Sequence, residues 1–473
     1  MVPGSPEQRA RAALEEKRAA AISIKSLDRA FTSGALFHWA TGTKEARHRV
    51  DRVIKEREAA HAEQVKVAKA KHYARTSFVW SSDKYPADEG PWNQPLISGY
   101  RIAGTETEFK HELFAKLCAD VIASGLLLQP NAGGEWSAGE GCANLLDAIE
   151  RGASRIGHAI HALATPSTGL PDRVGAKLSL LGVATVAELM KKRKIVAEVC
   201  TIANGMVHSI EAERYGTSPL KLLLRAGVPV VLGSANAGMW YGGDGTDVHE
   251  QLKLALSSGL LKRTEAAEIM ARSFEITRAL PPEMKQRFIN QARMWATSGE
   301  PLQALPKADM YGNLNGLLPH WWVCSQAEQQ NVPCPSLIEE GAKWRDMREF
   351  GGSYEQRCAI IRRAGHEALP SQILAVAARC EQRNVRLIEL SIEPHGDLYN
   401  YFRMCSAGRS LAYERHGVYV GFVVRFRREV AERETGHIEG SVKRGYELLK
   451  AALSFNQLWS ASLDVEVNEG EDD

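Results

Sequence analysis

The chain has 473 residues, of which 44% are apolar and 25% charged, and its net charge is +2. That length accommodates one large domain with appendages or two to three ordinary ones, with the composition of a soluble globular protein. A near-neutral balance gives no electrostatic case for nucleic acid or a membrane surface, and no run of about 18 apolar residues suggests a transmembrane helix.

The first residues, Met1 to Arg11, lack the apolar core of a signal peptide. The eight cysteines (118, 142, 200, 324, 334, 358, 380, 405) are scattered without a Cys-x-x-Cys pair, which argues against a structural zinc site and predicts reduced thiols in a cytoplasmic protein. Residues 1–80 form a charged, helical extension; Thr43 to Arg75 contains neither Gly nor Pro. It fits a long solvated helix or an oligomerisation arm pairing through Val53, Ile54, Val65 and Val67. Residues 81–95, rich in Pro, Gly and Asp, form a linker.

From Leu96 short apolar runs alternate with helical stretches, the signature of β/α units on a parallel sheet. Strands are predicted at 96–106, 126–135, 154–158, 195–204 and 228–238, with helices between them and a helical run over about 247–297. Further strands are predicted at 302–319, 384–391 and 418–427, followed by a helix over about 436–453 and an acidic tail over 461–473, frayed from Glu466. Eight strands in parallel units match the number a (β/α)8 TIM-type barrel needs.

Several of these strands carry motifs. Gly99-Tyr-Arg-Ile-Ala-Gly-Thr-Glu106, Arg155-Ile-Gly-His158, Glu198-Val-Cys-Thr-Ile-Ala-Asn204, the Pro219 to Leu232 segment and Leu305-Pro-Lys-Ala-Asp-Met-Tyr-Gly-Asn-Leu-Asn-Gly316 together resemble the adenosine deaminase family. They are similar, in turn, to that family's fourth, sixth, seventh, approach to eighth, and first strands. The helices through Phe274 and Leu280 to Lys285 resemble its C-terminal pair. The resemblance implies one barrel over 96–460 in circularly permuted order: strands four to eight in 96–238, strand one in 302–319, strands two and three in 384–427. The barrel closes within the chain, or the C-terminal third completes a neighbour's barrel.

The family's reaction uses a zinc-bound water held by three His and one Asp, with a Glu as acid. The resemblance places Tyr311 and Asn313 at the first two ligand positions. The third falls at Asn131 in the frame Asn131-Ala-Gly-Gly-Glu135, or in a second frame, Ser137-Ala-Gly-Glu140, and neither frame contains a histidine. The fourth falls at Ala235, with Asn236 in place of the second Asp. An amide is a poor zinc ligand and an alanine none, so no metal and no cofactor are expected. Glu135 (or Glu140) and His158 survive as relict acid/base candidates. Tyr311, Asn313, Asn131, Asn236 and Gly316 are candidates for ligand binding, since an amide pairs well with a purine edge. Lys307 and Asp309 are expected to hold the strand; Trp240, Trp321 and Trp322 to pack; His161 and His208 to be ordinary loop or helix residues.

Three function classes follow. One is a catalytically degenerate scaffold or regulatory subunit, as a homo-oligomer or beside an active relative. A second is a binder of a purine nucleoside or nucleotide. The third is an active enzyme, either a purine deaminase or a metal-free hydrolase of the same fold using Glu135 and His158. Neither a membrane nor a nucleic acid is indicated as a partner.

Overall fold

The structure is a computed structural model that describes residues 94–104, 111–134, 138–201, 218–239, 247–335, 347–427 and 438–468. The extension over 1–80, and all but the last residues of the linker, lie outside the described residues, as do Glu135, Asn204, His208 and Trp240.

The strands are β1 (Ile97–Ala103), β2 (Leu127–Leu128), β3 (Asn131–Ala132), β4 (Arg155–His158), β5 (Val196–Val199), β6 (Val230–Leu232), β7 (Lys307–Asn313), β8 (Val385–Ile392) and β9 (Tyr419–Arg427). The helices are α1 (Ala115–Ala123), α2 (Ala138–Glu150), α3 (Asp172–Leu180), α4 (Val186–Lys192), α5 (Pro219–Ala226), α6 (Val248–Ser257), α7 (Arg263–Ile276) and α8 (Pro282–Ser298). Then come the short α9 (Leu314–Leu317), α10 (His320–Gln329), α11 (Met347–Arg363), α12 (Leu369–Gln382), α13 (Leu398–His416) and α14 (Ile438–Asn468).

Every strand pairing is parallel and the pairings run in a cycle. One sheet has the order β2-β1-β9-β8-β7 and the other β3-β4-β5-β6. β2 and β3 are consecutive pieces of one strand interrupted at Gln129 and Pro130, because proline supplies no ladder donor. This splits the single strand expected over 126–135. At the other seam Ala235 bridges to Gly312. Its N–H donates to the Tyr311 carbonyl at 2.7 Å and its carbonyl accepts from the Asn313 N–H at 2.8 Å. With β2 and β3 counted as one strand, eight parallel strands with helical crossovers make a TIM-type α/β fold. β9, the last strand, pairs with β1, the first, from Ile97–Phe422 to Ala103–Arg427. β7 lies between β6, through the Ala235–Gly312 bridge, and β8.

Local chemistry sets the boundaries. α5 starts at Pro219 and ends at Gly227 with φ 78°, a left-handed turn that a glycine adopts without steric cost. Asp247 caps α6 by accepting from the Glu250 N–H, and Asp397 caps α13 in the same way. The stretch expected as one strand over 302–319 is a strand only from 307 to 313; Leu314 then opens a helical turn. α14 continues to Asn468, past the end expected near 453 and into the tail expected to fray.

Apolar side chains fill the layer between strands and helices. One cluster joins β4–β6 to α2, α4, α5, α7 and α8, through residues such as Leu145, Met190, Val230, Phe274 and Trp295. The other joins β1, β8 and β9 to α12, α13 and α14, through Ile97, Phe402, Ile388, Phe422 and Leu449. The inside of the ring is polar instead. There Arg101, Arg155, Glu198 and Glu389 are each at most 2% exposed.

One expectation about cysteine fails. Cys324 and Cys334 form a disulfide, while Cys118, Cys142, Cys200, Cys358, Cys380 and Cys405 are free and buried. Sequence spacing could not foresee the pair, because α10 and the turn after it bring the two residues together.

Candidate barrel site

The C-terminal strand ends of a parallel barrel are where side chains from different strands converge. Tyr311 and Asn313 sit two apart on β7, and both are buried. A period of two places them on the same face. The Tyr311 hydroxyl accepts from Asn131 Nδ2 at 2.8 Å. Asn131 Oδ1 accepts from Arg101 Nη1 at 3.3 Å, and the Arg101 guanidinium lies over the Tyr311 ring, 3.9 Å from its centre. The His158 ring meets Tyr311 edge-on at 5.7 Å. The strands leave room for this ring only because they carry glycine: a Cβ at Gly233 would lie 2.4 Å from Tyr311 Cβ, and one at Gly157 3.2 Å from the ring. Burial pushes the Tyr311 hydroxyl above its ordinary range, so it stays protonated.

A second pair forms beside the first. Asn313 Nδ2 donates to Asn236 Oδ1 at 2.9 Å. Gly316 packs directly on this pair, since a Cβ there would fall 2.1 Å from Asn236 Oδ1. Thus Asn131 with Tyr311 and Asn313 with Asn236 form two hydrogen-bonded pairs, with Gly316 packed on the second. His158 joins them, half-buried and with φ 74°. Glu140 is exposed at the start of α2.

Deeper in the ring lies an ionic cluster that sequence reasoning missed. Arg155 pairs with Glu198 at 2.5 Å and with Glu389 at 2.7 Å, and Arg101 pairs with Glu198 at 2.7 Å. Thr277 Oγ1 donates to Glu389 at 2.8 Å, and Arg155 Nη2 to the Met310 carbonyl at 2.9 Å. Burial alone would raise the Glu198 carboxyl, but Arg101 and Arg155 outweigh it and hold it below its ordinary range. A signal was available: Arg101 stands where the resembled strand carries Asp, as a charge inside an otherwise apolar run.

A third layer closes over β8 and β9. Arg425 donates to the Tyr354 hydroxyl at 2.8 Å and to Glu393 at 2.6 Å, and Arg427 pairs with Glu355 at 2.5 Å. Arg357 Nε donates to the Asn315 carbonyl at 2.7 Å, and its Nη2 reaches the Leu318 carbonyl. α11 therefore straps across the strand ends of β7, β8 and β9. A small cavity lies elsewhere, between β7, β8 and α12, lined by Ser234, Asp309, Leu317, Val376, Cys380 and Ile388.

The motif's remaining polar residues tie β7 in place. Lys307 Nζ donates to the Leu305 carbonyl at 2.8 Å and to the Arg383 carbonyl at 3.0 Å. Asp309 accepts from the Ser234 N–H at 2.9 Å and the Tyr311 N–H at 3.3 Å. Trp322 is buried and Trp321 packs at the edge of the core. His161 lies in the short 3-10 helix Ile160–Leu163 and is buried, its ring against Gly141.

No curated protein matches the chain. Among solved structures, adenine deaminase from Arthrobacter aurescens is similar at 17% identity with a TM-score of 0.34, over 43% of this chain and 53% of that one. The match thus spans about half the length of that chain. Residues 92–294, a stretch that runs from β1 through β6 into α8, match the family model for adenosine deaminase. Through that stretch, which is less than half of the chain, the chain is similar to the adenosine deaminase family.

Proposed function

We propose that this chain is a catalytically degenerate member of the family that lacks its zinc site and acts as a scaffold or regulatory subunit. The observation that carries this is the self-pairing of the mouth: Asn131 with Tyr311 and Asn313 with Asn236. The family resemblance puts Asn131, Tyr311 and Asn313 at ligand positions and Asn236 in place of the second Asp. Phenol and amide groups paired in this way offer zinc no anionic donor and no neutral imidazole. The motif order supports a circular permutation as well, with family strand one at β7. A ring can be opened between any two neighbouring units without altering the packing.

A second reading, a purine nucleoside or nucleotide binder, is favoured by His158. It remains half-buried at the end of β4, against Tyr311, within reach of the strand-end region. Purified protein assayed with adenosine, adenine and AMP should release no ammonia, and calorimetry with the same compounds separates a binder from a scaffold. Turnover that a chelator abolishes, and that is lost on changing Asn313 or Asn131, would identify an active deaminase instead. Turnover insensitive to chelator would point to the metal-free hydrolase. A scaffold should co-purify with itself or with an active relative at fixed stoichiometry.

A further inference from the structure

Outside the barrel, three soft or imidazole donors converge after β7. His320 opens α10 and Cys324 follows one turn later, so the two side chains share a face. The chain leaves the helix through Asn331, whose φ is 54°, and returns Cys334 to the same spot. His320 Nε2 lies 3.2 Å from Cys324 Sγ and 3.8 Å from Cys334 Sγ. The three ligand atoms lie within 4.8 Å of one another, and all three residues are half-buried. The six other cysteines are fully buried, which sets this pair apart as accessible to solvent chemistry.

The separations suit a metal. With zinc–sulfur bonds of about 2.3 Å and zinc–nitrogen bonds of about 2.0 Å, a tetrahedral site spaces its nitrogen and sulfur ligands by about 3.5 Å. The two observed nitrogen–sulfur distances fall on either side of that value. Only the sulfurs must part, and reduction of their bond permits it. We propose that His320, Cys324 and Cys334 form a zinc site in the reduced protein, and that the disulfide is its oxidised, metal-free form. A dithiol reductant supplies two electrons and two protons, cleaving the S–S bond to two thiols while itself becoming a disulfide. Zinc then displaces both thiol protons and takes His320 through Nε2. Three protein ligands leave a fourth position for water. This site is separate from the barrel mouth and independent of the reading given above for it.

The test uses the full chain, fully reduced or fully oxidised, exposed to zinc and then to a chromophoric chelator. Reduced protein should retain about one zinc per chain and oxidised protein none. Cobalt substituted into the reduced protein should give thiolate-to-metal charge transfer with tetrahedral visible bands. His320→Ala should weaken retention, and Cys324→Ser/Cys334→Ser should abolish it. Should the variants fail to fold, the reduced and oxidised forms of the unaltered chain still decide. Failure of the reduced chain to retain zinc, or cobalt spectra without thiolate bands, would overturn the proposal. Zinc that survives Cys324→Ser/Cys334→Ser and is lost on changing Asn313 would overturn it too, and would place the metal in the barrel mouth.

Discussion

Glu198→Gln is the sharpest probe of what holds the barrel interior together. Glu198 receives Arg155 at 2.5 Å and Arg101 at 2.7 Å, with no exposed side-chain surface on either Glu198 or Arg101. Two arginines and two glutamates cancel in charge within the cluster. The substitution leaves two guanidinium groups against Glu389 alone and turns an amide N–H₂ toward donors. Removing one partner of a buried ion pair costs about 3–5 kcal/mol, because the remaining charge cannot return to water. Urea unfolding followed by tryptophan fluorescence should show that loss at neutral pH with little change in slope. The pH dependence supplies a second check. The Glu198 carboxyl is held below its ordinary value of 4.5, so its stabilisation is present above that pH and is lost as pH falls through the folded-state value. The acid limb should therefore be shallower in the variant than in the parent. A loss below about 1 kcal/mol, the range of a solvated surface pair, would refute the claim that this cluster is dry and mutually dependent.

Tyr311→Phe removes the acceptor for Asn131 Nδ2 and should cost about 1–3 kcal/mol in thermal or urea unfolding. If the variant is instead more stable, the Tyr311–Asn131 pair is not what satisfies the mouth. Gly316→Ala should also destabilise, since the added Cβ meets Asn236 Oδ1 at 2.1 Å, and combining it with Asn236→Gly should recover much of the loss in a double-mutant comparison. Burial pushes the Lys307 ammonium down to about 7 from an ordinary 10.5. The folded state thus binds fewer protons than the unfolded one between those values, and stability should rise with pH across that window. Lys307→Met should flatten that rise in unfolding curves taken at pH 7 to 10, and an unchanged slope would show that Lys307 keeps its proton when folded.

Sequence alone determined the parallel α/β architecture and the strand count, because these rest on local period, turn residues and short motifs. It also put Tyr311 and Asn313 on one face, since strand side chains alternate whatever the surroundings. Which groups those residues touch was decided only by tertiary structure. Asn131 reaches Tyr311, and Asn236 reaches Asn313, across strands far apart in the chain, so no spacing rule could pair them. The same holds for Arg155, whose guanidinium is tolerable inside the ring only because Glu198 and Glu389 arrive from two other strands. The Cys324–Cys334 bond depends on the turn that reverses the chain after α10. Local propensity sets where the elements begin and end, whereas charge compensation and contact in the interior depend on closure of the ring, which brings residues distant in sequence within bonding distance.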